Sequence, residues 1–136
     1  MTKERLKRYR ALKEERYQIR QKLLELESAM YSPRIQHLTG MPRSGGSGSV
    51  QDRLTARHIE LQKAYAAKQA EIDAELLAIE NAIDSLEPVE RMILRYRYID
   101  GLQWSSICTK VHYGWTRTHA YHSKALRTLS ENIEQL

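Results

Sequence analysis

The sequence predicts an all-α protein in which a long antiparallel helical hairpin, packed as a coiled coil, is followed by a domain of shorter helices. Apolar residues recur every three or four positions along two long stretches without Gly or Pro, a pattern typical of amphipathic helices. A segment rich in Gly, Ser and Pro separates the two stretches and predicts a loop. In the last third of the chain, Pro88 and Gly101 divide the sequence into shorter helical segments.

The first coiled-coil helix is assigned to residues 1–32, where apolar side chains follow heptad spacing and Arg16 interrupts them once. This helix should end near Tyr31, because the residue before Pro33 is disfavoured in the helical conformation. The stripe consists of Tyr9, Leu12, Arg16, Ile19, Leu23, Leu26 and Met30.

Residues 33–50 are assigned to a flexible linker, since two prolines and a run of Gly and Ser cannot hold a helix. Helical periodicity returns at residues 51–86, which are assigned to the second coiled-coil helix. Its stripe consists of Leu54, His58, Leu61, Tyr65, Lys68, Ile72, Leu76, Ile79, Ile83 and Leu86.

Charge is divided unequally between the two long helices. Residues 1–13 contain six Lys or Arg and one Glu, whereas residues 51–86 contain four Lys or Arg and seven Asp or Glu. Their flanking charges are therefore expected to pair across an antiparallel hairpin. Because a two-helix hairpin has a thin core, we expect a homodimer formed through the hairpins. The alternative is a monomer in which the hairpin packs against the C-terminal domain.

The C-terminal domain is assigned to residues 87–136, and its pattern predicts a helix-turn-helix unit. Such a unit needs a small residue where the two helices approach and apolar residues on both sides of a tight turn. Counting from Trp104, Cys108 takes the small position. The inward positions are taken by Ile107, Val111, Tyr113, Thr118, Tyr121, Ala125, Leu126 and Leu129.

The predicted turn departs from the usual pattern of this unit. The position generally held by Gly is His112, and the glycine comes two residues later, at Gly114. We therefore expect either a left-handed His112, at a cost of about 1–2 kcal/mol, or a turn shifted by one or two residues. Thr118 also stands where Val or Ile is usual.

The segment from Leu86 to Leu129 resembles region 4 of bacterial sigma factors, the module that reads the promoter −35 element. The resemblance lies in Leu86-x-x-x-Glu90-Arg91, Leu94-Arg95-Tyr96-Arg97-Tyr98, Gly101-Leu102, Ile107 and Ala125-Leu126-x-x-Leu129.

The full layout is similar to phage late-operon transcriptional regulators of the RinA/ArpU type. This likeness rests on the helical N-terminal half, Met41–Gly46, Trp104 and the ending Tyr121-His122-x-Lys124-Ala125-Leu126. It implies a prophage-encoded activator of late genes that binds promoter DNA in the bacterial cytoplasm, with RNA polymerase as a further candidate partner.

Residues at the start and on the outward face of the second helix are the candidates for contact with double-stranded DNA. They are Trp115, Thr116, Arg117, His119, Ala120 and Ser123, with Lys110, Lys124 and Arg127 assigned to phosphates nearer the edge. Arg117 either reads a guanine edge or holds a phosphate. The basic residues Lys3, Arg5, Lys7, Arg8 and Arg10 are either further backbone contacts or a solvated helix end.

No catalytic site, cofactor or metal is expected. No Gly-rich phosphate loop precedes a helix, and the Ser and His pairs have no triad context. The spacing of Cys108, His112, His119 and His122 matches no common zinc pattern. One cysteine excludes an internal disulfide and fits a reducing cytosol, and no apolar run is long enough to cross a bilayer.

Two other function classes stay open at this point. A DNA-packaging adaptor of the small-terminase kind also combines a helix-turn-helix with a coiled coil, and it would form a ring of many subunits. A sigma-like module would bind RNA polymerase rather than DNA.

Overall fold

The computed structural model describes residues 1–31 and 49–134, and the regular structure in these ranges is helical. Helix α1 spans Lys3–Met30 and α2 spans Val50–Ile83, and together they form the predicted antiparallel hairpin. Three shorter helices follow, α3 at Pro88–Leu94, α4 at Trp104–Val111 and α5 at Trp115–Glu134. The all-α prediction is therefore confirmed. None of the helices in the described ranges has both the length and the apolar character needed to cross a membrane.

Most of the predicted linker lies outside the described residues, but its last two positions start α2. Ser49 and Asp52 form a reciprocal cap: the Asp52 N–H donates to Ser49 Oγ at 3.1 Å, and the Ser49 N–H donates to Asp52 Oδ2 at 3.2 Å. This arrangement satisfies two backbone donors at the start of the helix. Helix α2 consequently begins at Val50, one residue before the predicted boundary.

The second helix ends three residues before its predicted limit. Helix α2 stops at Ile83, and Leu86 lies in a turn whose N–H donates to the Ile83 carbonyl at 3.0 Å. Leu86 is nevertheless buried, so its position in the apolar stripe reflects packing rather than helical structure. Pro88 begins α3, as expected for a residue without a backbone donor.

Contacts divide the described chain into two compact units. Residues 14–70 form the first, called here the hairpin unit. Residues 1–13 and the chain from Glu71 onward form the second, called here the composite unit. The predicted domains are consecutive segments of the chain. They did not place the start of α1 in one unit with the C-terminal helices.

Polar members of the predicted stripes are paired inside the hairpin unit. Arg16 Nη1 donates to Gln69 Oε1 at 2.6 Å, and His58 Nε2 lies 3.0 Å from Glu27 Oε1. Lys68 Nζ is 2.7 Å from a Glu15 carboxylate oxygen. Each of these half-buried polar side chains therefore keeps a partner beside the apolar contacts.

The core of the composite unit contains the start of α1. Leu6, Tyr9 and Leu12 are buried in one cluster with residues of α2, α3 and α5, including Ile72, Ile79, Ile83, Leu94, Ala125 and Leu129. Lys13 Nζ adds a hydrogen bond to the Ile99 carbonyl at 3.0 Å.

The predicted pairing of basic α1 with acidic α2 is confirmed in this unit. Arg5 lies 3.2 Å from Glu75, and Arg8 lies 3.3 Å from Glu71. Both arginines are therefore neutralised by carboxylates of α2. The face of α1 that carries Leu6 and Leu12 packs into the core.

A π-helical turn at Arg95–Ile99 continues α3. The Asp100 N–H donates to the Arg95 carbonyl at 2.9 Å, five residues back, and Gly101 follows with a positive φ of 71°. Tyr98 is buried by this turn. The sequence after Pro88 predicts an apolar face formed by Val89, Met92, Ile93 and Tyr96. Ile93 is buried, and Val89 and Tyr96 pack against its cluster, but Met92 is exposed.

Candidate nucleic-acid interface

Helices α4 and α5 are joined by a short turn at His112–Gly114. His112 has φ 62° and ψ 34°, which is the left-handed conformation expected for the residue in the glycine position. The Tyr113 N–H donates to the Cys108 carbonyl at 3.3 Å, closing the end of α4. Of the two expected arrangements, the left-handed His112 is therefore the one present.

We expect His112→Gly to raise the free energy of unfolding by about 0.5–1 kcal/mol. The left-handed conformation costs a residue with a Cβ about 1–2 kcal/mol, and the greater freedom of glycine in the unfolded chain removes part of that gain. His112 is exposed, so the substitution removes no buried contact. Urea denaturation followed by circular dichroism measures the difference.

The matched control for this change is Ser106→Gly, at an exposed position inside α4. Glycine in a helix interior should lower stability by a few tenths of a kcal/mol relative to serine. Loss of stability in both variants would contradict the strain assigned to His112.

The inward side of the unit forms a second apolar cluster. Ile93, Ile107 and Val111 are buried there, and Tyr113 and Tyr121 pack against them. Thr118 is fully buried, with its N–H donating to the Gly114 carbonyl at 3.0 Å. Cys108, predicted at the small position where the helices approach, is half-buried, and Ile107 beside it is fully buried as predicted.

The outward side of the unit exposes most of the predicted DNA-contacting residues. On α5 these are Trp115, Thr116, Arg117, Ala120, Ser123, Lys124 and Arg127, and on α4 it is Lys110. The face carries cations and small or aromatic side chains, and residues 102–130 contain no acidic side chain. A face of this composition suits a polyanion.

His119 is the exception among these residues, because it does not point outward. Its ring centroid lies 4.2 Å from that of Trp104 and 4.1 Å from that of Trp115, so the imidazole is held between two indoles. Its Nε2 is buried and has no hydrogen-bond partner among the described residues. Sequence spacing did not reveal this position because Trp104 belongs to a different helix.

Arg117 is held at the exposed face by two tyrosines. Its guanidinium carbon lies 4.4 Å from the Tyr113 ring centroid and 5.9 Å from that of Tyr121. Stacking on aromatic faces, together with a side-chain hydrogen bond to Tyr121 that raises the Arg117 pKa, restricts the arginine. Arg117 is therefore partly pre-organised at the start of the exposed helix.

Lys124 interacts within its own domain. Its Nζ lies 3.6 Å from Oε1 of Glu90, a carboxylate that is only 2 % exposed. Glu90 Oε1 has no hydrogen-bond partner in the described chain, and Lys124 is the cation paired with it. Part of the Lys124 charge therefore balances a buried carboxylate and is less available to DNA. Lys110 and Arg127 are better probes of contact with phosphates.

A buried polar pair that the sequence did not predict lies at the junction of the π-helical turn and α5. The Tyr98 hydroxyl and His122 Nε2 are 2.7 Å apart, and both side chains are buried. Burial, together with the charges of Lys3, His119 and Arg97, lowers the pKa of His122 from 6.5 to about 4. His122 is consequently neutral at pH 7. The two residues are 24 apart in sequence, so no local pattern could pair them.

Cys108, His112, His119 and His122 are of the residue types that bind zinc. Over residues 1–31 and 49–134, no three His, Cys, Asp or Glu side chains are grouped closely enough to hold an ion. His119 and His122 are both engaged in aromatic contacts.

Comparison with known proteins adds no relative: no family model matches the chain, and neither the curated proteins nor the solved structures contain a match.

Proposed function

We propose that the protein is a sequence-specific, double-stranded DNA-binding transcription regulator. The observation that carries this proposal is the exposed face of α5 over residues 115–130, which carries no acidic side chain. This helix follows the turn at His112–Gly114, and a buried core supports its inward side. Thr118, Ala125 and Leu129 anchor the inward side of the same helix. A helix presented in this way fits the major groove of B-DNA.

In this proposal α5 lies in the major groove with its first turn nearest the bases. Arg117, already stacked on Tyr113, offers a planar pair of donors to a guanine edge. Thr116 beside it contacts a thymine methyl or a phosphate. Lys110 and Arg127 neutralise phosphates on either side, which makes the affinity depend on salt. The likeness to regulators of phage late operons supports activation of late genes as the biological outcome.

The proposal includes a homodimer formed through the hairpin units. Tyr17 and Leu24 lie one heptad apart on α1, and Tyr31 follows one heptad later, just past its end. Their exposed fractions are 56 %, 47 % and 71 %. An apolar stripe with this spacing suits a second helix from another copy.

Selection from a random-sequence duplex pool at near-physiological salt tests the proposal. Enrichment of a defined motif supports a specific regulator, and a two-fold repeat within that motif supports the dimer. Retention without enrichment would favour a packaging adaptor, and no retention would favour a module that binds protein only.

At one base-pair position, Arg117→Ala should reduce the difference in binding free energy between the preferred base pair and the others by about 1–3 kcal/mol. A bidentate arginine–guanine contact discriminates by that amount. Lys110→Ala should instead weaken binding to every sequence and reduce the salt slope by about one. Fluorescence anisotropy with the selected duplex and with single-base variants measures both effects.

The matched control is Arg20→Ala, an exposed arginine on α1 in the hairpin unit, which should leave DNA affinity nearly unchanged. If Arg117→Ala weakens all sequences equally, as Lys110→Ala does, Arg117 holds a phosphate and the assignment to base readout is wrong.

A further inference from the structure

The basic residues at the start of α1 separate into two faces. Arg5 and Arg8 pair with Glu75 and Glu71 of α2. Lys3, Lys7 and Arg10 are spaced four and three residues apart, which places them on another face of the helix. In the described parts of the chain, no ion pair neutralises these three side chains.

This second face borders a cavity of about 140 Å³ within the composite unit. Lys3, Lys7 and Arg10 line one side of it, and Arg97 of the π-helical turn contributes a fourth cation. No acidic residue is among the described residues that line the cavity. A volume of this size holds several water molecules, which is enough for a small oxyanion.

The remaining wall is held in place by contacts within the fold. Arg97 is fixed by a 3.0 Å hydrogen bond from Nη1 to the Leu102 carbonyl and by its guanidinium, 5.0 Å from the Trp104 ring centroid. Tyr98 and His122, joined at 2.7 Å, complete the lining. The site therefore combines three cations that have no ion pair in the described chain with a wall fixed by internal contacts.

Folding gathers these four cations although like charges repel at short range. A bound anion removes that repulsion and accepts hydrogen bonds from the lysines and arginines. Glu4 acts electrostatically on this wall, because its charge, after burial, contributes to raising the Tyr98 pKa. One carboxylate does not balance four cations.

We propose that this cavity is a binding site for an oxyanion of the phosphate class, formed by Lys3, Lys7, Arg10 and Arg97. The inference is independent of the assignment of α5 to the major groove. The oxyanion comes either from the DNA backbone or from a free phosphorylated molecule, and the two sources share the same chemistry at the site.

Titration of the full chain with inorganic phosphate, followed by ¹H–¹⁵N NMR at constant ionic strength, tests the proposal. The indole resonance of Trp104, which lines the cavity, should shift and saturate, whereas that of Trp115, which does not line it, should move little. Sodium chloride at the same ionic strength should not reproduce the shift.

Arg10→Ala should raise the phosphate Kd by about tenfold or more, as expected for loss of one charged hydrogen bond. Arg20→Ala, on the same helix but outside the cavity, should leave the Kd unchanged. Lys7→Gln is a milder second variant in case Arg10→Ala impairs folding, and circular dichroism checks each protein. No saturable shift of Trp104 in the wild type, or equal loss in Arg10→Ala and Arg20→Ala, would overturn the proposal.

Duplex binding by the same variants identifies the source of the oxyanion. If Arg10→Ala weakens both phosphate and DNA, the site takes a backbone phosphate. If it weakens phosphate alone, the ligand is a free phosphorylated molecule. Phosphate binding in a protein that binds no DNA would retain this site while rejecting the proposed function.

Discussion

Leu6→Ala is expected to lower the free energy of unfolding by about 2–5 kcal/mol, the usual cost of emptying a leucine position in a closed core. Leu6 is fully buried in the cluster that includes Ala125 and Leu129 of α5. The substitution removes apolar contacts and leaves a cavity that helices α1, α2 and α5 cannot easily close. Chemical denaturation monitored by circular dichroism measures the loss.

Gln18→Ala provides the matched control on the same helix. Gln18 is exposed and lies outside the apolar stripe proposed for the dimer, so its truncation should change stability by only about 0.5 kcal/mol or less. Equal and small effects from both variants would mean that the start of α1 is not part of the core of the composite unit.

Stability should also fall steeply between neutral and mildly acidic pH because of His122. Its pKa is lowered to about 4 in the folded protein and stands at 6.5 when unperturbed. The unfolded chain therefore binds a proton first as the pH falls. The stabilisation is fully present above pH 6.5 and is lost progressively toward pH 4, by roughly 2 kcal/mol at pH 5 and about 3 kcal/mol in total.

Urea denaturation at pH 7.5, 6 and 5, chosen to bracket this window, measures the dependence. His122→Gln should be less stable at pH 7.5, because it disturbs the contact with Tyr98, but its stability should change less between pH 7.5 and 5. Subtracting the two profiles isolates His122 from the other titrating groups. Parallel profiles for wild type and variant would contradict the assignment.

The sequence predicted the fold well where structure depends on neighbouring residues. Apolar spacing, together with Pro88 and Gly101, located the five α-helices of residues 1–31 and 49–134. The missing turn glycine gave a left-handed His112 as one of two alternatives, and this is the one present. The exposed positions of α5 followed from counting along one helix. Each of these inferences needed only a few adjacent residues.

The features that were missed depend on residues far apart in the chain. Trp104 of α4 stacks on His119 of α5, and Tyr98 of the π-helical turn pairs with His122 of α5. Leu6 lies one turn before the predicted apolar stripe, and its burial depends on residues beyond Glu71. Periodicity gives the buried face of a helix but does not give the partner that covers it.

The composite core has a kinetic consequence, because it joins distant parts of the chain. The hydrogen bond from Lys13 to Ile99 spans 86 residues, so this core closes only after its last helices have been synthesised. Contacts between residues so far apart in sequence slow folding. The hairpin unit is one contiguous stretch of chain and can form earlier. During synthesis part of the apolar surface of Leu6, Tyr9 and Leu12 stays uncovered until Ala125 and Leu129 of α5 have emerged, and uncovered surface of this kind favours aggregation or chaperone binding.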